Sequence, residues 1–245
     1  MSDKPAYQCG APASLIQELV DANHILARHR IVDAFGHISA RHPGNPQTYL
    51  ISRSIAPNLV APDDIMAFDL CSQARVATDM RSYSERFIHG EIYKARPDVM
   101  SIVHCHAPPL IPFGATRNAL RPIFHMCGFL GLGCAHYDIR DKSGWTDMLI
   151  RDAGRARDLA QSLGDKPIVL MRGHGATVVG TTVIQAVHRT YYATVNAQLQ
   201  AEALRLGTPI YLEDEEARLS AAANDFSAER AWALWKDELD RGNQT

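Results

Sequence analysis

The sequence predicts one α/β domain, and three observations carry that expectation. Segments with helical spacing alternate with short apolar runs along the whole chain. No internal repeat, low-complexity tract or long linker divides it. Its 245 residues, 46% hydrophobic and 21% charged, suit a single packed core. The domain is therefore expected to span 1–245, with a loose tail at 1–11 and a C-terminal helical segment at 208–245.

Ser14 and Gln17 have capping-box spacing, and Leu15, Leu19, Ala22 and Leu26 follow at helical period, so a helix is expected over 14–29. FGHISAR (35–41) and TYLIS (48–52), separated by HPGNPQ, read as a β-hairpin. IMAFDL (65–70) reads as a strand after the turn at Pro62. A helix begins near Ser84, carries Phe87, Ile88, Ile92 and Tyr93, and stops before Pro97. SIVHCH (101–106) is a short strand ending in polar residues, followed by a Pro-rich turn and a helix. IVLMRGHG (168–175) is a strand running into a glycine-flanked histidine. Residues 181–207 form the longest helical candidate, ended by Gly207. Phe226, Trp232, Trp235 and Leu239 mark a last helix.

A formal charge of -2 without a Lys/Arg cluster gives no support for a nucleic-acid or membrane-surface role. The first residues lack a basic segment followed by an apolar run, and nothing approaches the ~18 apolar residues of a membrane span. A cytoplasmic protein is expected. Cys9, Cys71, Cys105, Cys127 and Cys134 are odd in number and scattered, which suits reduced thiols better than a disulfide framework. Eleven histidines are the unusual feature of the composition.

His104 and His106 are two apart on a strand, so both imidazoles can face one side. A third nitrogen from a distant strand end would complete a three-histidine site with an open position, the pattern of catalytic metals. His174 has the right setting, because Gly173 and Gly175 permit close backbone approach. The plainer reading is a histidine pair at a strand edge.

Four segments, taken in order, resemble the class II aldolase/adducin family, nearest to its decarboxylase-like branch. GHISAR (36–41) resembles a G-N-x-S-x-R segment. SERFIHGEIYKARPDV (84–99) resembles [ST]-E-x-x-x-H-x-x-x-Y-x-x-R-P-D. SIVHCHAP (101–108) resembles V-x-H-x-H, and GHG (173–175) resembles the segment supplying the third ligand. The resemblance covers about 14–207. It implies a three-layer α/β/α domain with a central mixed, mainly antiparallel sheet, and one divalent metal ion held by His104, His106 and His174. Zn2+ or Mn2+ is the expected ion, while Fe2+ and Co2+ suit the same donors. It also implies a homotetramer with active sites at subunit contacts. Tyr191, Tyr192 and the Trp232/Trp235 segment would then either complete a neighbour's pocket or pack in the core.

The resemblance places Glu85 at the family's acid/base carboxylate. A carboxylate beside a cation and partly desolvated can exchange protons near neutral pH; the plainer role is a first-turn helix acid. His89, one turn on, reads as structural, packing in the helix or bonding a neighbour. His24, His29, His42 and His188 read as solvent-facing or packed.

Three departures bear on the substrate. Phosphosugar aldolases of the family carry I-[ST]-P-[ST]-G after the second strand, whereas this chain has Ile51-Ser52-Arg53-Ser54-Ile55. The family asparagine is His37, and its serine pair is Tyr83-Ser84. Losing the glycine removes a close backbone approach to an anion, and Arg53 offers a fork suited to a carboxylate. With PIFH (122–125), these features resemble the decarboxylase-like branch and make Ser52, Arg53, Ser84 and His125 the expected substrate contacts. The implied reaction is decarboxylation of a hydroxylated aromatic or pyridine carboxylate through a metal-chelated keto/enolate intermediate, with Glu85 or His37 as proton donor. The alternative is an aldolase acting on a non-phosphorylated hydroxy-keto acid or sugar, and after it a metal-dependent oxygenase on the same scaffold.

Overall fold

Alternation along the strands sorts their side chains into two cores. Ile38 and Ala40 of β1 (His37–Arg41) join one cluster, while Tyr49 and Ile51 of β2 (Thr48–Ser52) join the other. Every residue of both strands is buried, so both faces of the sheet are covered. These features come from a computed structural model that describes residues 10–242. Of the expected tail, positions 1–9 lie outside the described residues, and Ala11 is fully buried in the core.

The sheet has seven strands, completed by β3 (Ile65–Asp69), β4 (Ser101–Cys105), β5 (Cys134–Tyr137), β6 (Ile168–Met171) and β7 (Gly175–Gly180). Their order is β3-β2-β1-β4-β7-β6-β5. Only β5 and β6 pair in parallel, so the sheet is mixed and mainly antiparallel. On one face lie α1 (Ala13–Arg28), α6 (Val183–Leu206) and α7 (Asp214–Gly242), through residues such as Leu19, Val187, Trp232 and Trp235. On the other lie α2 (Phe87–Ala95) and α5 (Ala153–Leu163), through Ile88, Ile92, Leu159 and Leu163. Two short helices, α3 (Ile111–Ala115) and α4 (Arg140–Ser143), join elements at the margin.

The hairpin, β3, β4, α1 and α6 stand close to their expected places. The capping box does not form. Pro12 is the N-cap of α1, which puts Ser14 inside the helix, and Gln17 turns its amide to Asp21 at 2.9 Å. Residues 84–86 form a turn, so α2 starts at Phe87 rather than at Ser84. Asp152 and Thr182 do cap α5 and α6, accepting from the backbone N–H of Arg155 and Gln185. The last helix begins at Asp214, twelve residues before Phe226, with three acids in its first turn where the dipole favours them.

Register brings the chemistry to the middle of the sheet. His37 of β1 lies opposite His104 of β4, and His104 lies opposite Thr177 of β7. Two glycines make this close packing possible. A side chain at Gly175 would collide with the Cys105 carbonyl oxygen. Gly36 has a φ of 99°, and a Cβ there would meet Val32 Cγ1 at 2.6 Å.

Candidate metal centre

His104 comes from β4, His106 from the residue just past its end, and His174 from the tight β6–β7 turn. Glu85 comes from the turn that leads into α2. One donor atom from each of the four lies within 4.8 Å of all the others. His106 Nε2 is 3.2 Å from His104 Nε2 and 3.1 Å from His174 Nε2. Glu85 Oε2 is 3.5 Å from His174 Nε2 and 3.8 Å from His104 Nε2.

Protons on the far sides of two rings settle what those nitrogens are. His174 Nδ1 is 3.0 Å from the Met148 carbonyl, which can only accept, so Nδ1 carries the proton. Thr177 Oγ1 lies 3.2 Å from His104 Nδ1 and 3.7 Å from Met171 Sδ, so with its proton on the sulfur it accepts from His104 Nδ1. The Nε2 atoms of both rings are thus lone pairs, aimed at one point together with a carboxylate oxygen. Lone pairs at such spacing repel unless a proton on His106 Nε2 or a cation lies among them. Ligands ~2 Å from one tetrahedral ion sit ~3.3 Å apart, which matches the nitrogen spacings. The four residues could hold a divalent metal ion.

Electrostatics agree with that donor set. Burial holds His104 well below the ordinary imidazole range, against the pull of Glu85. Burial, with the neighbouring His174, also lowers His106. Burial would raise Glu85, but the adjoining His174 and His104 rings and the Ile150 N–H together hold it below the usual carboxylate range. The shifts of His104, His106 and Glu85 thus all favour their ligating forms, a neutral imidazole or a carboxylate.

The centre opens into a cleft of about 590 Å3, lined among others by Phe35, His37, Arg81, Tyr83 and Ser84. The structure thus brings His37 and Ser84 together with the four donors. It does not bring Ser52, Arg53 or His125 to the cleft. Ser52 Oγ sits 3.3 Å from the Tyr83 hydroxyl, which donates to the Ile55 carbonyl at 2.6 Å. Arg53 donates through Nε to Asp64 at 2.5 Å, and its backbone N–H also bonds Asp64. His125 is exposed and packs beside Phe124.

Sequence reasoning missed two features. Arg81 lines the cleft, and its exposed side chain has no hydrogen bond or ion pair among the described residues. Nothing in the local sequence separates it from Arg53. The second is the partner of His89, which bonds a neighbour as one of its two expected roles: its Nε2 is 2.7 Å from His37 Nδ1. The four-residue spacing from Glu85 hints that His89 shares its helix face, but its partner on β1 is visible only in three dimensions.

Residues 17–201 match the family model described as the class II aldolase and adducin N-terminal domain. Among curated proteins, the chain is 33% identical to decarboxylase tropJ of Talaromyces stipitatus, over 94% of this chain and 96% of that one. It is 26% identical to a 3,4-dihydroxyphthalate decarboxylase of Arthrobacter keyseri, over 86% and 88% of the two chains. Among solved structures, an aldolase II superfamily protein from Pseudomonas syringae superposes with a TM-score of 0.79 at 20% identity, covering 97% and 98%. With the model spanning most of the domain and the fold shared throughout, the chain belongs to the class II aldolase and adducin family.

Proposed function

We propose that this protein is a divalent-metal-dependent carbon–carbon lyase that decarboxylates a hydroxylated aromatic or pyridine carboxylate. The observation that carries the reading is the convergence of His104, His106, His174 and Glu85 on one point, at a cleft also lined by Arg81, whose side chain has no partner among the described residues. Two relatives named as decarboxylases, similar over most of the chain, support the same reaction class.

His104, His106 and His174 would hold the ion, Zn2+ or Mn2+, with Fe2+ and Co2+ suited to the same donors. A bound ion supplies Lewis acidity, drawing electron density from a ring hydroxyl oxygen of the substrate. The chain's own groups do the rest. Arg81 holds a substrate carboxylate, with Ser84 beside it as a hydroxyl donor. Tyr83, Phe35 and Leu149 give the ring an apolar bed and limit water. Glu85, a carboxylate at the outset, takes the proton of the ring hydroxyl and delivers it to the ring carbon that bears the carboxylate; the bond to the carboxylate carbon then breaks, its electron pair restores the aromatic ring as CO2 leaves, and solvent returns a proton to the phenolate oxygen. His37 faces the same substrate oxygens. In this reading Arg53 and Ser52 shape the wall of the cleft through Asp64 and Tyr83, and His125 contributes only if a second copy presents it. A homotetramer is the proposed assembly, and light scattering in solution tests it.

Purified protein loaded with Zn2+ or Mn2+ and given dihydroxybenzoates, hydroxyphthalates and hydroxy-keto acids should release CO2 from a hydroxyaromatic acid. Aldehyde release from a hydroxy-keto acid without CO2 would make it an aldolase instead.

A further inference from the structure

Behind His37 runs a chain of hydrogen bonds that ends in the protein interior. His37 Nδ1 meets His89 Nε2 at 2.7 Å, His89 Nδ1 meets Ser39 Oγ at 2.6 Å, and Ser39 Oγ meets the Tyr93 hydroxyl at 2.8 Å. His37 is 4% exposed, while Ser39, His89 and Tyr93 are at 0–1%. The four positions on β1 and α2 face each other because Ser39 is two residues from His37 on one side of the strand, and His89 and Tyr93 are one turn apart on the helix.

The direction of this chain can be read from the far end. Among the described residues Ser39 Oγ is the sole partner of the Tyr93 hydroxyl. A buried O–H without an acceptor is costly, so the Tyr93 proton goes to Ser39. Ser39 has one proton of its own, which then goes to His89 Nδ1. His89 must carry its proton on Nε2 and donate it to His37 Nδ1. The reverse direction strands the Tyr93 proton. A mixed one, with Tyr93 and His89 both donating to Ser39, strands the Ser39 proton. Only one arrangement satisfies all four groups.

We infer that Tyr93, Ser39 and His89 lock His37 as a neutral imidazole with its proton on Nε2, so that it serves as a fixed hydrogen-bond donor in the cleft, with His89 as the positioning residue. His37 Nε2 has no partner among the described residues, and the ring lines the cleft beside Glu85 and His104. A neutral N–H aimed at an oxygen that gains negative charge stabilises it without giving up the proton. This divides the labour: His37 polarises and Glu85 carries the proton. Burial and the neighbouring His89 also push His37 well below the ordinary imidazole range, and burial holds His89 down to about 3. The use of the donor on a substrate oxygen rests on the proposed lyase reading, whereas its proton position does not.

Two measurements test the inference separately from that reading. Neutron diffraction from crystals of the zinc-loaded protein grown in D2O locates the protons with no substrate present. Deuterium on Nε2 of both His37 and His89, and none on His37 Nδ1, is the expected result; deuterium on His37 Nδ1 overturns the inference. The second compares His89→Leu with His89→Gln on whichever substrate the panel identifies, at equal metal content. A glutamine amide offers a donor to His37 and an acceptor to Ser39, so His89→Gln should stay within about tenfold of wild-type kcat. His89→Leu should fall 100-fold or more in kcat with little change in KM. Equal loss in both variants, or wild-type activity in His89→Leu, would show that His89 acts only by packing.

Discussion

Glu85 Oε1 accepts the backbone N–H of Ile150 at 2.8 Å, a bond that spans 65 residues of sequence and ties the start of α2 to the segment before α5. It fixes the carboxylate so that Oε2 turns toward His174 and His104. One oxygen is structural and the other faces the chemistry. In Glu85→Gln the amide oxygen can keep the Ile150 bond, so the fold and the three histidine ligands should survive. The variant should retain most of its metal yet lose about 10²–10⁴-fold in kcat, as expected for removal of a proton-transfer group. Metal analysis and steady-state kinetics check the two halves. A variant within a few-fold of wild type would leave Glu85 with only its structural bond.

Removing any one histidine from the centre leaves the other lone pairs without a complete set of donors. His104→Ala, His106→Ala and His174→Ala should each bind divalent metal at least tenfold more weakly and lose turnover. Metal should also raise the thermal midpoint of the wild type by mass action, and that increment should vanish in each variant. Elemental analysis after gel filtration and melting curves with and without chelator provide the readout. Full metal occupancy in one variant would remove that residue from the centre.

Much of this centre was legible before the fold was known, for local reasons. His104 and His106 advertise themselves because a strand repeats every two residues, and His174 because glycines flank it. Gly175 is required by a neighbouring strand that the sequence does not show, yet its presence beside a histidine was signal enough. The elements that escaped are those without a local signature. β5 is a four-residue edge strand, Cys134–Tyr137, paired on one side only. The start of α7 carries acids and small alanines rather than spaced large apolar residues. The Ser14–Gln17 spacing misled because Pro12 set the helix start two residues earlier. The choice between Arg53 and Arg81 depends on Asp64, which occupies the first and is absent from the second.

Buried neutral histidines set a pH dependence with a definite sign. Burial lowers His37 and His89, and burial brings His188 to about 4, where neither ring nitrogen has a partner. Their folded-state values lie below the ordinary 6.5. Between the folded and unfolded values the unfolded chain binds more protons, so stability falls as pH drops below about 6.5. Glu85 acts in the same direction at lower pH, because its carboxylate is held below the usual range and its contribution is lost as it protonates. Metal-free protein should therefore show a thermal midpoint that is flat above pH 7 and declines steadily from pH 6.5 toward 4. His188→Phe, packed against Tyr192 and outside the cleft, should make that decline shallower. An unchanged slope in His188→Phe would show that this ring titrates normally.

The last prediction separates the two arginines. Arg53 is tied to Asp64 by side chain and backbone, and its side chain does not line the cleft. Arg81 lines the cleft, and its side chain pairs with nothing among the described residues. An unpaired guanidinium in the cleft wall can take a carboxylate through two parallel bonds, and a bound ring would exclude water from the pair. Arg81→Ala should therefore raise KM for a carboxylated substrate more than tenfold, equivalent to about 1.4 kcal/mol, with metal content unchanged. Arg81→Lys should recover only part, because a point charge cannot reproduce the fork. Arg53→Ala should leave KM within a few-fold and cost about 1 kcal/mol of stability as its partly exposed ion pair with Asp64 is lost. The opposite pattern would return substrate recognition to the loop after β2. Dihydroxyacetone phosphate with an aldehyde acceptor is the control: efficient turnover of that pair by the wild type would require a phosphate cradle. The Ser52-Arg53-Ser54 segment lacks the glycine for one, and its arginine is already engaged.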